Sequence, residues 1–358
     1  MSTSSDFDAK KAEAFAGRMV SALNDAAFGL MVSIGHRTGL FDAIRDQPAL
    51  TSQDIASRAG LDERYVREWL GAMATAGAVD VDPATTRFSL PAEHAAFLTR
   101  AAGVNNMAVF TQLVAMLGEV ENDIVECFRK GGGVPYEKYP RFHCVMAEDQ
   151  TVLSFLESHL LSLVPGLTSR LTKGIRVLDA GCGSGRVLNR LAELYPNGQF
   201  SGMDLSPEAV ERARSEASRK GLRNVEFIVR DLSDFDQTAE PESFDFITTF
   251  DAIHDQARPL NVLQGIYRAL RPDGVYLMQD VNGSSHVDKD IGHPLGTFLY
   301  TVSCMHCMTV SLAQGGEGLG AMWGEEKTRE YLQRAGFRSI ETHRLEHDIM
   351  NNWYVIRK

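Results

Sequence analysis

The chain is short of several things at once. It has no stretch of clustered Lys and Arg, and its 36 basic residues are outnumbered by 47 acids, a net charge of -11. Such a surface repels phosphate backbones unless basic residues gather in one place, so a nucleic-acid partner is not expected. No apolar run approaches the ~20 residues that cross a bilayer, so no membrane partner is expected either. The first residues, Met-Ser-Thr-Ser-Ser-Asp, lack the basic and then apolar segments of a secretory signal. The cysteines are few and odd in number: Cys127, Cys144, Cys182, Cys304 and Cys307. That count argues against a disulfide framework and for a cytoplasmic protein. The pair at Cys304 and Cys307 has zinc-like spacing but no second pair to complete a site, so no metal is expected.

What is present divides into blocks. At 358 residues the chain exceeds one typical domain. Residues 1–100 are mainly helical. A helix is expected from Ala9 to Arg37, with Phe15, Met19, Val20, Leu23, Phe28, Leu30 and Met31 on it. A short helix follows, capped by Thr51 or Ser52, carrying Ile55 and Ala56 and ending at Gly60. The next starts at Leu61-Asp62-Glu63, turns Val66, Leu70 and Met73 inward and stops at Gly77. Residues 78–81 and 87–90 alternate like two short strands about Asp82-Pro83. Helix, turn, helix and ribbon in this order resemble a winged helix.

Residues 101–173 form a second helical region, a linker or lid, broken at Gly131-Gly132-Gly133. Tyr136, Tyr139, Phe142 and His143 follow the break, either as a lid over the site or as ordinary interdomain packing.

Residues 174–358 alternate strand and helix. Arg176 to Ala180, Gln199 to Asp204, Val225 to Val229, Phe244 to Phe250 and Gly274 to Val281 read as parallel strands joined by helices. Arg338 to Arg344 and His347 to Arg357 alternate as an antiparallel edge pair would.

The chemistry sits at strand ends. Val177-Leu178-Asp179-Ala180-Gly181-Cys182-Gly183-Ser184-Gly185 is a strand, a glycine turn and a helix start. A nicotinamide dehydrogenase has such a turn as well, with an acid closing its second strand. Here an acid, Asp179, also precedes the glycines, where it would repel a pyrophosphate but favour a cationic sulfonium with its ammonium. Asp204 can accept from a ribose diol, and Asp231 from an adenine amino group.

These residues resemble the class I S-adenosylmethionine-dependent methyltransferases. The segment from Val177 matches their first motif, Gly202 to Ser206 the second, Arg230-Asp231-Leu232 the third and Phe244 to Phe250 the fourth. Arg268 to Gly274 matches the turn before their fifth strand, with Asp273 where glycine is common. The front resembles a bacterial subfamily with an N-terminal winged-helix-like domain. The resemblance implies an α/β fold: a Rossmann-like seven-stranded sheet behind a mainly helical winged-helix-like domain that pairs subunits into a homodimer. It implies S-adenosylmethionine as cofactor, held by Asp179, Gly181, Gly183, Asp204, Leu205, Asp231, Leu232 and Phe250. It implies a small-molecule acceptor, methylated at a hydroxyl, in a pocket built by residues 282–323. His254 and Asp255 match a His-Asp pair of small-molecule O-methyltransferases, where the histidine is a general base. The alternative for His254 is a loop cap or packing against the cofactor.

A ligand-responsive winged-helix transcriptional regulator is the rival function. Between residues 36 and 95 six arginines face nine acids, and the would-be recognition helix opens on Asp62-Glu63. A DNA reader needs a basic footprint.

Overall fold

The computed structural model describes residues 7–149, 151–346 and 348–358. The polar start at 1–6 and His347, the expected start of the last strand, lie outside them. The described chain separates into two units, 1–116 and 117–358, so the region 101–173 is shared between them.

In the first unit, the helix Ala9–Thr38 is capped by the Asp8 carboxylate and stopped by Gly39 at φ 75°. The helix Ser52–Ala59 opens on a capping box. The Asp54 N–H donates to Thr51 Oγ1 at 3.2 Å, and the Thr51 N–H donates to Asp54 Oδ2 at 3.1 Å. Gly60, at φ 66°, ends it. The helix Glu63–Thr75 buries Val66, Trp69, Leu70 and Met73. The wing is an antiparallel pair, β1 (Asp80–Asp82) and β2 (Arg87–Ser89). Leu50 bridges to Phe88 and ties the wing to the helices.

The second unit holds seven more strands: β3 (Arg176–Ala180), β4 (Gln199–Asp204), β5 (Val225–Val229), β6 (Phe244–Phe250), β7 (Leu270–Val281), β8 (Ser339–His343) and β9 (Asn351–Arg357). Their order is β5-β4-β3-β6-β7-β9-β8. The first five are parallel, and β9 runs antiparallel to both neighbours, as the alternation of the last two strands predicted.

The period of two is visible in the core. Leu178, Ile247, Tyr276 and Tyr354 enter one apolar layer under the helices Pro259–Ala269 and Gly324–Ala335. Val177, Phe246, Leu277 and Trp353 enter the other, under Arg186–Leu194 and Pro207–Arg219. Burying both faces explains the near-continuous apolar runs. The chain steps outward from β3 to β5 and then returns to place β6 beside β3. The crevice beyond the carboxyl ends of β3 and β6 is therefore the switch point where ligands of such sheets bind.

The capping box in the first unit gives a test. Thr51→Ala should lower stability by about 1 kcal/mol, read as a lower denaturant midpoint in urea unfolding, while Thr51→Ser should restore it. An unchanged midpoint in the alanine variant would rule out this cap as a stabilising contact.

Candidate active site

The turn after β3 is built by glycines that a side chain could not replace. Gly181 has φ 81°, and a Cβ there would lie 2.6 Å from the Cβ of Ala252, in the turn after β6. Gly183 has φ 50° with open space over it. One turn is thus pressed against the next strand's exit, and the other leaves room for a ligand to approach the backbone.

Asp179 is buried and accepts a hydrogen bond from Thr248 Oγ1 at 2.9 Å. Burial pushes its carboxyl up to about 7, against the pull of Thr248, with a further push from the Asp204 charge. Asp204 closes β4. Its Oδ2 accepts from the Gly183 N–H at 2.7 Å and its Oδ1 from the Ser206 N–H at 2.8 Å. Each oxygen keeps a lone pair for a further donor. Leu205 is exposed beside it. Asp231 is exposed and accepts from the Ser233 N–H at 2.8 Å. The Leu232 side chain is buried in the core layer with Phe235, so only its backbone faces outward chemistry. Phe250 meets Trp353 edge-to-face at 6.1 Å.

His254 follows β6 and is buried. Its Nδ1 lies 2.7 Å from Asp280 Oδ1, at the end of β7. The same oxygen accepts from Trp323 Nε1 at 2.9 Å and from the Val281 N–H at 2.9 Å. Asp280 is thus fixed by two donors besides the imidazole, and the ring's orientation is fixed with it. The Cys307 thiol is within hydrogen-bond reach of the ring. Burial by itself drives the imidazolium down, but the charge and hydrogen bond of Asp280, with Cys307, outweigh it and hold the ring well above its ordinary range.

Sequence reasoning missed Asp280. No spacing rule links it to His254, because the contact spans 26 residues. It also missed Asp251, which sits at φ 49° just past β6, a strained angle for a non-glycine residue. The segment with Tyr136 does come to the rim: its hydroxyl donates to Asp255 Oδ2 at 2.5 Å. Burial, opposed by His254 and Tyr136, raises Asp255 to about 6.

Asp251, His254 and Asp280 bring one ligand atom each within 4.8 Å of the others, close enough for a cation. Burial and the Asp280 charge push Asp251 up to about 8.

Residues 26–100 match the Rv2258c-like winged HTH domain, and residues 171–336 match a methyltransferase domain. A ubiquinone biosynthesis O-methyltransferase of Actinobacillus pleuropneumoniae serotype 7 (strain AP76) is 33% identical over 112 residues, 30% of this chain. The chain spans 47% of that relative's length. Among solved structures, the mitomycin 7-O-methyltransferase MmcR is 18% identical with a TM-score of 0.70, covering 98% of this chain and 100% of that one. Human N-acetylserotonin methyltransferase, solved with SAM, is 18% identical with a TM-score of 0.68, covering 100% and 99%. At such identity the likeness is one of fold, and it runs the length of the chain. The chain therefore carries a segment that matches a winged helix-turn-helix domain, followed by one that matches a methyltransferase domain.

Proposed function

We propose that this protein transfers a methyl group from S-adenosylmethionine to a hydroxyl of a small-molecule acceptor, with His254 as general base. The observation that carries the reading is the buried His254–Asp280 pair at the switch point. Methyl transfer is an in-line displacement, so alignment of the acceptor oxygen with the methyl supplies much of the rate. The remaining task is the acceptor's proton. Asp280 holds Nδ1, which leaves Nε2 to take that proton.

The cofactor's place follows from the same edge. Asp179 lies where its ammonium and sulfonium would be balanced. Gly181 and Gly183 let it approach the backbone, Asp204 would accept from the ribose diol beside Leu205, and Asp231 with the Leu232 backbone would hold the adenine. Phe250 would line the floor. The bound cofactor supplies the activated methyl. The similar proteins, O-methyltransferases of ubiquinone biosynthesis and of mitomycin, favour a hydroxyl acceptor.

The regulator reading is disfavoured by the winged unit itself. On the helix Glu63–Thr75, Arg67 pairs with Glu63 at 2.6 Å and Arg64 with Glu68 at 2.5 Å. Its cations are already matched, which leaves little for phosphates. A homodimer fits this unit better. Phe15, Met19, Val20 and Leu23 are exposed along Ala9–Thr38, an apolar stripe of the kind that marks an association face. Five free cysteines suit a reducing, cytoplasmic setting.

Calorimetric titration with S-adenosylmethionine tests the cofactor assignment. Asp204→Ala should weaken binding roughly 10- to 150-fold, the worth of a charged hydrogen bond of about 1.5–3 kcal/mol. Equal affinity in the variant would remove Asp204 from the site.

The base assignment predicts a pH profile. His254 must be neutral to take a proton, and its pKa lies above 6.5, so turnover should climb with pH through a midpoint above 6.5. His254→Ala should cut turnover by about 10²–10⁴ with cofactor affinity retained. Asp280→Asn removes the charge that raises the ring's pKa and should move the limb to lower pH. A limb unmoved in that variant would mean that another group titrates.

Light scattering on a sizing column should give twice the chain mass, and Leu23→Glu should shift it toward one. A single-chain mass for the unmodified protein at micromolar concentration would rule out the dimer.

A further inference from the structure

The stretch from Gly296 to Ala313 is helical but changes pitch at Ser303–Cys307, a single π turn. Such turns concentrate at functional sites, because the extra residue re-aims side chains. Cys304 and Met305 line an open, mainly apolar cleft of about 680 Å³ between residues 121–128 and 287–301. The next two residues, His306 and Cys307, are buried, and Cys307 faces His254.

His306 lies in a box of rings. Phe142 stacks on it at 3.8 Å and 14°, while Tyr139 and Tyr136 meet it edge-on at 4.7 and 5.2 Å. It is 1% exposed, yet neither Nδ1 nor Nε2 has a hydrogen-bond partner. An imidazole buried with both nitrogens unmet is a poor structural choice, since a phenyl ring would fill the box without that cost. Burial, then the charges of His254 and His143, push the ring down to about 3. It is therefore neutral, with one nitrogen a donor and the other an acceptor.

We infer that His306 reads the acceptor: it hydrogen-bonds a second polar group on a flat aromatic acceptor whose ring takes the stacking face now held by Phe142. This rests on the methyltransferase reading above. The three rings around His306 favour planar ligands, and the cleft beside it is of ligand-pocket size. Phe142 opens a short helix, Phe142–Glu148, that follows Gly131 and Gly132 at φ 74° and 82°. Cys307, the residue after His306, reaches His254, so an acceptor held at His306 can offer its other hydroxyl to the base.

The test uses the full chain saturated with S-adenosylhomocysteine, and titrates 1,5-, 2,6- and 2,7-dihydroxynaphthalene against 1- and 2-naphthol. The diols carry the second polar group and the naphthols lack it. The expected result is at least one diol bound about tenfold tighter than its parent naphthol, the effect of one added hydrogen bond. His306→Phe should erase that preference while naphthol affinity and S-adenosylhomocysteine affinity stay unchanged. His306→Leu, read in parallel, should do the same, and His306→Gln, which keeps a donor and an acceptor, should retain part of it. No preference in the unmodified protein, no binding of any of the five, or a preference that survives in the Phe and Leu variants would each overturn the inference. Failure to bind S-adenosylhomocysteine is seen separately and would overturn the cofactor reading instead.

Discussion

Strand β3 is hydrogen-bonded on both sides by parallel neighbours and covered on both faces, so nothing about its position is adjustable. Its chain can leave only at the carboxyl end, and it leaves through glycines at left-handed angles. The approach of Gly181 to Ala252 locks that exit against the exit of β6. From this follows the rest of the site. The turn after β3 takes its second anchor from Asp204 at the end of β4, and the turn after β6 puts His254 against the end of β7. A change that widened the Gly181–Ala252 contact would move the turn holding Asp204's hydrogen bond away from the turn that carries His254.

The crevice is crowded with acids. Burial raises Asp179 to about 7, Asp255 to about 6 and Asp251 to about 8. Burying several carboxyls so close together is unfavourable by itself, and they respond by holding protons. A ligand with a sulfonium and an ammonium relieves exactly this kind of crowding, because its charge draws Asp179 back toward the ionised form. A pyrophosphate would make it worse.

The strand ends were legible because they depend on local signals: a two-residue period, a glycine cluster and an acid at the boundary. The helix start at Thr51 or Ser52 and the stop at Gly60 were legible for the same reason. Asp280 was not, because its partnership with His254 is set by the lateral register of β6 on β7, where Phe250 pairs with Gln279. No pattern within either strand records that register. Leu232 shows the opposite difficulty: its motif position was clear, but its side chain serves the core rather than the crevice. Tyr136 reaches Asp255 across 119 residues, so the sequence allowed a lid there without indicating what it would touch.

Two buried imidazoles in this unit are pushed in opposite directions, and the reason is their neighbours. His254 faces Asp280, which stabilises the protonated ring more than burial destabilises it. His306 faces only aromatic rings, with His254 and His143 near enough to repel a proton. Environments that push like groups apart in pKa divide acid–base roles between them. His254 is pushed toward the protonated form and His306 toward the neutral one. A group that holds one fixed donor and one fixed acceptor is suited to recognition, because its hydrogen-bond pattern does not change with pH near neutrality.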